Sequence, residues 1–176
     1  MPGIDESLKF KPLNIAVLTV SDTRTIETDT SGATLVDRLE AAGHKLAGRL
    51  LIRDDVLRIR SAVEDWIADA GVDAVITTGG TGLTGRDVTV EALAPLFEKT
   101  IEGFAAVFHK VSYDSVGLST LNSRATAGVA NGTVIFCLPG STGAVKDGWD
   151  KIIAFQLDAR YRPCNLVELM PRMKER

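Results

Sequence analysis

Val75-Ile76-Thr77-Thr78-Gly79-Gly80-Thr81-Gly82-Leu83-Thr84-Gly85-Arg86-Asp87-Val88-Thr89 is the stretch on which the reading of this chain turns. Val72 to Ile76 is an apolar run suited to a buried strand, and it ends in two threonines. Four glycines follow within seven residues, and from about Thr89 the positions Val90, Leu93, Leu96 and Phe97 repeat at helical spacing. A strand, a glycine-rich turn and a helix N-terminus in that order direct backbone N–H groups at an anion. Glycine lets the main chain approach a ligand because no Cβ intervenes. A side chain at Gly80 is therefore predicted to abolish ligand binding while leaving the protein folded.

Gly80 to Gly85 satisfies half of a Walker A pattern, but Arg86-Asp87 stands where Lys-Ser/Thr belongs, so that reading fails. Gly80-Thr81-Gly82-Leu83-Thr84-Gly85 also matches G-x-G-x-x-G after a strand. A dinucleotide site further needs an acidic residue ending the next strand about twenty residues on, and Phe104 to Val111 has helical spacing instead. The simplest competing reading is a plain turn with Asp87 or Thr89 as helix N-cap.

Upstream, Leu13 to Val20 is a continuous apolar run, as expected of a strand covered on both faces. The polar loop Ser21 to Gly32 leads to a helix with Leu35, Val36, Leu39 and Ala42 on one side, stopped by Gly43. Leu46 to Ile52 is a second strand, running into Arg53-Asp54-Asp55. A second helix starts near Val56 and carries Ile59, Val63, Trp66, Ile67 and Ala70. Strand–helix–strand–helix–strand implies right-handed crossovers and a parallel sheet. Ligands collect at the carboxyl edge of such a sheet, so Ser21-Asp22, Asp54-Asp55 and Thr78 to Asp87 are predicted to share one edge.

Further on, Phe104, Val107, Phe108 and Val111 suggest a helix that also carries His109. His109 and His44 are read as surface or core-edge residues. Ala125 to Ala130 and Thr133 to Leu138 flank Asn131-Gly132, a type I′ hairpin signal. A parallel Thr133–Leu138 strand brings Pro139-Gly140-Ser141 to the same edge and makes its hairpin partner an antiparallel edge strand. Ser141 then caps a last helix with Val145, Trp149, Ile152, Ile153 and Leu157 inward, and the basic tail Arg160 to Arg176 packs loosely or on a neighbour. The predicted fold is a three-layer α/β/α domain over residues 13–165, with a mostly parallel sheet and one antiparallel edge strand. Residues 1–12 are read as an extension and 166–176 as a tail.

Length and composition agree with one domain: 176 residues, 45% hydrophobic and 24% charged. A net charge of −3 lacks the basic face that nucleic acid requires. No apolar run approaches the roughly 20 residues that cross a bilayer. Met1 to Lys11 is polar and is not read as a signal peptide. Cys137 and Cys164 show no metal spacing and are read as free thiols, so a cytoplasmic protein is expected. Acidic residues beside phosphate loops suggest Mg²⁺, which binds one or two carboxylates together with substrate phosphates. Asp54, Asp55 and Asp87 are the candidates, Asp54-Asp55 being equally readable as an acidic helix start.

Thr77-Thr78-Gly79-Gly80-Thr81-Gly82 followed by Arg86-Asp87-Val88-Thr89 resembles the signature of the molybdopterin-binding MoaB and MogA family. Leu138-Pro139-Gly140-Ser141 resembles that family's other ligand loop. Ser119 to Arg124, Gln156 to Arg160 and Arg162-Pro163-Cys164-Asn165 are similar to the MoaB branch. The resemblance covers roughly Leu13 to Asn165. It implies adenylylation of molybdopterin by ATP with Mg²⁺. Thr78, Gly79, Gly80, Thr81, Gly82, Pro139, Gly140 and Ser141 would bind phosphate and nucleotide, and Asp54 and Asp87 would hold the metal. Ser21, Ser119 and Arg124 would lie on the pterin side, with Arg86 either a site residue or a loop-shaping ion pair. A homo-oligomer is also implied, a trimer or a hexamer of two trimers, serving a molybdate-inserting enzyme. Its expected interface uses apolar residues around Phe104 to Val111 and Leu166 to Met170. Two alternatives stay open: a molybdopterin-binding module without turnover, and a Rossmann-type dinucleotide-binding protein.

Overall fold

Side chains along the central strands alternate between two cores, which makes this a sheet covered on both faces. In the computed structural model, which describes residues 1–175, the strands are β1 (Gly3–Ile4), β2 (Asn14–Val20), β3 (Lys45–Ile52), β4 (Ala74–Thr78), β5 (Lys99–Thr100), β6 (Thr126–Ala130), β7 (Thr133–Leu138) and β8 (Tyr161–Arg162). The main helices are α1 (Thr30–Ala41), α2 (Val56–Ala68), α3 (Thr89–Leu93), α4 (Glu102–Val116) and α5 (Thr142–Gly148). Ile15 and Val17 of β2, Ala74 and Ile76 of β4, and Val134, Phe136 and Leu138 of β7 face one core, with Leu35, Phe104, Phe108 and Val145 from α1, α4 and α5. Ala16, Leu18, Val75, Ile135 and Cys137 face the other, with Ile59 and Val63 of α2 and Ala92 and Leu93 of α3. A period of two on strands buried from both sides gives the unbroken apolar runs of the sequence.

The main sheet has the order β3-β2-β4-β7-β6-β5. β3, β2, β4 and β7 are parallel neighbours. β6 runs antiparallel to β7 through the expected Asn131-Gly132 turn, whose φ values of 47° and 81° are those a type I′ turn needs. The expected antiparallel strand thus lies at that end of the sheet, and the two-residue β5 pairs beyond it. Chain order reverses between β2 and β4: β2 is followed on one side by β3, and the chain then returns to the other side. Such a switch point opens a crevice at the carboxyl ends of its strands.

Several local expectations change. The helix after the glycine loop ends at Leu93, and Pro95 tightens the chain into a 3₁₀ turn, Ala94–Leu96. Its N-cap is Val88, with no side-chain cap, so neither Asp87 nor Thr89 caps it. α5, capped by Ser141 Oγ accepting from Ala144 N–H, runs on through a wider-wound segment, Trp149–Ile153. His44 is buried, and Nδ1 accepts the Leu13 N–H. The tail is docked rather than loose. Val167 is buried against the first core with Leu166, Met170 and Met173 around it. Three of its arginines are paired, Arg160 with Asp158, Arg162 with Glu168 and Arg172 with Glu175, while Arg176 lies outside the described residues. The N-terminal extension is tied in as well, β1 pairing with β8. Phe104 and Phe108 are core residues, and the apolar side chains left exposed on and after α4 are Val107, Tyr113, Val116, Leu118 and Leu121.

The glycines of the loop are required first by contact within the chain. Gly79 has φ +100°, and a Cβ there would stand 2.1 Å from the Val20 carbonyl oxygen. At Gly80, with φ +68°, a Cβ would stand 2.2 Å from Thr89 Oγ1, which donates to the Gly79 carbonyl. A side chain at Gly80 therefore disturbs the fold itself, contrary to the expectation from sequence. Gly85 has open space around it. Gly79→Ala is expected to cost about 2 kcal/mol or more, from a left-handed φ plus a backbone clash. Gly85→Ala should stay within about 0.5 kcal/mol of wild type. Urea unfolding of the two variants checks the contrast, and equal midpoints would refute it.

Candidate functional site

A cavity of about 400 Å³ opens at the carboxyl edge of β2, β3, β4 and β7. Thr19 to Arg24 after β2, Asp54 after β3, Thr78 to Gly82 after β4, and Pro139 and Gly140 after β7 form its walls. Arg86, Asp87, Asn122 and Ser123 complete the lining. The loops predicted to share one edge therefore do so.

Backbone packing holds the floor. Gly79 N–H donates to the Leu138 carbonyl at 3.0 Å, and Thr78 Oγ1 donates to the Pro139 carbonyl at 2.9 Å. A Cβ on Gly140 would lie 3.2 Å from Gly79 Cα, so the two loops meet main chain to main chain. Gly79 and Gly80 are both at positive φ. The N–H groups of Gly80, Thr81 and Gly140 donate to no protein acceptor among the described residues. Unpaired amides in a concavity are the means by which such turns bind phosphate. Ser123 Oγ is likewise buried and without a partner among the described residues.

Three carboxylates enter the cavity in three different states. Asp22 is gripped by Arg86, Nε to Oδ2 and Nη2 to Oδ1, both at 2.9 Å, which lowers its pKa. Asp87 Oδ2 accepts from Thr84 Oγ1 at 2.6 Å and Thr84 N at 3.0 Å. Those bonds, the hydroxyl's first, hold its carboxyl below the ordinary range. No other residue among the described ones donates a hydrogen bond to the Asp54 carboxylate. Burial, then the charges of Asp22 and Asp87, push its pKa up, against the smaller pull of the Arg86 charge and of its own N–H. A half-buried carboxylate without a salt-bridge partner suits a cation held between protein and ligand. Among the described residues no group of three or more metal-ligating side chains is arranged to hold an ion. The donor set therefore fits Mg²⁺ shared with substrate oxygens and water, and does not fit a closed protein cage.

Other predicted site residues fall elsewhere. Arg124 is spent on the glycine loop: Nε donates to the Gly82 carbonyl at 2.8 Å, Nη2 to the Asp87 carbonyl at 3.0 Å, and Nη1 pairs with Glu91. Its own N–H donates to the Thr81 carbonyl. It shapes the cavity and does not line it. Ser119 is exposed in the 3₁₀ segment Gly117–Asn122, outside the lining, and Ser141 caps α5. Asp55 caps α2 by accepting from Arg58 N–H. Ser21 lines the cavity, and its Oγ accepts from the Thr23 and Arg24 amides. Asp22, Asn122 and Ser123 were given no role from sequence. The sheet-edge rule points to the first, and only tertiary structure brings in the other two. The dinucleotide reading falls, because Gly85 lies out on the 84–87 turn with nothing packed on it, and Thr89–Leu93 is too short a helix to lead to an acidic strand end.

The two acids give opposite signs in a stability test. Asp54 binds its proton more tightly folded than unfolded, so the stability it adds at low pH is lost as pH rises through its raised pKa. At neutral pH the ionised Asp54 is a net cost. Asp87, with a depressed pKa, stabilises at neutral pH and loses that contribution as pH falls through its folded value. Asp54→Asn is expected to raise the thermal midpoint at pH 7 and Asp87→Asn to lower it. The Asp54→Asn curve should approach wild type as pH falls through the ordinary carboxylate range, and the Asp87→Asn curve only at lower pH, below the depressed pKa of Asp87, as differential scanning fluorimetry across pH would read. Shifts of the same sign would refute the assignment.

A family model described as a probable molybdopterin binding domain matches residues 16–159. Molybdenum cofactor biosynthesis protein B of Escherichia coli (strain K12) is 51% identical over 159 residues, covering 90% of this chain and 94% of that one. The protein of the same name from Bacillus subtilis (strain 168) is 45% identical over 142 residues, 80% of this chain and 84% of its own. Among solved structures, one of a molybdenum cofactor biosynthesis protein B aligns with TM-score 0.81 at 42% identity, over 84% of this chain and 92% of that chain. The tungsten cofactor synthesizing protein MoaB of Pyrococcus furiosus aligns with TM-score 0.74 at 38% identity, over 82% of this chain and 92% of that chain. Matched along nearly its full fold, the chain belongs to the molybdopterin-binding MoaB/MogA family of molybdenum cofactor biosynthesis.

Proposed function

We propose that the chain binds molybdopterin and ATP in this cavity and transfers an adenylyl group to the terminal phosphate of molybdopterin, releasing pyrophosphate. The observation that carries the reading is the presence, in one cavity, of unpaired backbone amides at Gly80, Thr81 and Gly140 and of the half-buried carboxylate of Asp54, which no salt bridge engages. Amides alone suit an anion and the carboxylate alone a cation. Together they suit a phosphate chain that brings its own divalent metal.

A phosphate monoester is already an anion, so the attack on the α-phosphorus needs no general base, and neither histidine serves the site. The protein's work is to align two anionic groups and offset their charge. The Gly79–Gly82 and Pro139–Gly140 turns hold phosphate oxygens, and Asp54, with Asp87 beside it, holds the metal. Mg²⁺, when bound, neutralises the polyphosphate and the leaving pyrophosphate. Ser21, Asn122 and Ser123 offer polar contacts to the pterin side. Support for a homo-oligomer comes from the exposed Val107, Tyr113, Val116, Leu118 and Leu121; a trimer or two stacked trimers would cover them.

Single-turnover incubation with molybdopterin, ATP and Mg²⁺ should yield adenylylated molybdopterin and pyrophosphate. Asp54→Asn should lower the rate at least a hundredfold while molybdopterin still binds, about the loss seen when one charge-stabilising group is removed. Molybdopterin bound by the wild type with no adenylate formed would make the chain a binding module and overturn the transfer. Sedimentation velocity at micromolar concentration should give a trimer or larger, and a monomer would refute the oligomer.

A further inference from the structure

Arg86 reaches across the mouth of the cavity and joins three loops. Besides its two bonds to Asp22, Nη2 donates to the Asp54 carbonyl at 3.0 Å, and Asp22 Oδ1 also accepts from Asp54 N–H at 3.2 Å. The pair is wet. The Arg86 side chain keeps 67% of its exposure and that of Asp22 35%. Water and salt screen an ion pair so exposed, although its two-pronged geometry places it among the stronger surface pairs. A guanidinium fork matches a phosphate as well as it matches a carboxylate, and a phosphate carries more charge. Arg86 lines the same cavity as the unpaired Gly80 and Gly140 amides. Its partner is thus open to competition from solvent, and a more highly charged one enters beside it.

Building on the adenylyl-transfer reading, we propose that Arg86 is a polyphosphate ligand parked on Asp22 in the free protein. A phosphate chain displaces the Asp22 carboxylate from the guanidinium, so that Asp22 acts as an internal competitor at the site. Such an exchange would give the site selectivity: a neutral or singly charged ligand cannot outcompete the carboxylate, and a polyphosphate can. No covalent step is involved. The alternative role, a permanent brace between the loops, uses the same bonds but makes Asp22 and Arg86 partners in every state.

Pyrophosphate binding, measured by isothermal titration calorimetry with EDTA present, separates the two in wild type, Arg86→Ala, Asp22→Asn and the double variant. Exchange predicts at least tenfold weaker binding in Arg86→Ala. Asp22→Asn, by freeing Arg86, should bind several-fold tighter when Arg86 is present and change affinity less than twofold when it is absent. A double-mutant cycle of this kind isolates the coupling. If Asp22→Asn tightens binding equally in both backgrounds, it merely removes a negative charge, and the proposal fails. If it weakens binding as Arg86→Ala does, the pair is a brace, and the proposal fails. Wild-type affinity in Arg86→Ala, or no pyrophosphate binding by the wild type, also overturns it. Arg86→Lys, which keeps the charge and loses the fork, replaces Arg86→Ala in the cycle if the alanine variant does not melt cooperatively. Adenylate formed by the wild type without this coupling would remove Arg86 alone, and coupling without adenylate would remove the transfer and leave Arg86 standing.

Discussion

Contact between backbones at the switch point of the sheet is the constraint on which the remaining structure depends. Gly79 fits under the Val20 carbonyl because that contact leaves no room for a Cβ, and Gly140 packs against it so closely that a Cβ there would be tight at 3.2 Å. Three parallel strands thereby end at one level, and the turns after them open into one cavity. Parallel register alone would not achieve this. Strands of a doubly covered sheet can stop at different heights, and side chains at Gly79 or Gly140 would hold the turns apart. The positive φ of Gly79 and Gly80 then decides which way the following amides point. One local necessity, close approach, yields both the packing and the anion cradle.

A second layer of bonds keeps the cradle in shape. Arg124 gathers the carbonyls of Gly82 and Asp87, and its backbone takes that of Thr81, so these carbonyls of the loop are satisfied within the protein while the Gly80 and Thr81 amides are left unpaired among the described residues. On the other side Asp29, buried at the start of α1, accepts from Thr19 Oγ1 at 2.7 Å, Gly32 N at 2.8 Å and Arg49 at 3.0 Å. This fixes both ends of the polar loop from Ser21 to Thr28. A buried carboxylate is tolerable when it is hydrogen-bonded on several sides and paired, and Asp29 meets both conditions. Asp54 meets neither, and the contrast separates structural acids from the candidate site acid better than exposure does.

What could be read from the residues beforehand was whatever has a short-range cause. Apolar runs from Leu13, Leu46 and Val72 and the Asn131-Gly132 turn carry their reasons within a few residues, and the structure places those strands within a residue or two. The convergence of Ser21, Asp54, Thr78 to Gly82 and Pro139-Gly140 followed from sheet topology. Long-range pairings were not legible. Arg124 reads as a pterin-side residue until the loop about forty residues before it is in place. Asp87 reads as a helix cap, because the rule sees the helix that follows and not Thr84 behind. The docked tail depends on Val167 and Met170 finding a core built from distant helices. Lys99–Thr100 is too short to show a period and exists only because β6 offers an edge.

The two ends of the sheet differ in how fully their polar groups are satisfied, and that difference locates function more surely than residue type. At the end where the strands begin, Leu13 N–H is taken by His44 Nδ1 and Asn14 N–H by Asp73 Oδ2. Accepting an amide at Nδ1 requires a neutral ring on that side, and burial, the main cause, lowers the His44 pKa in the same direction. Donor and acceptor are matched there, and the polar groups serve the fold. At the carboxyl end the amides of Gly80, Thr81 and Gly140, the hydroxyl of Ser123 and the carboxylate of Asp54 all lack protein partners among the described residues. Leaving such groups unmet costs stability. A fold that satisfies its polar groups at one end had the means to do so at the other. Unmet donors and an unmet acceptor side by side suit the proposed ligand, a phosphate chain that brings a divalent metal.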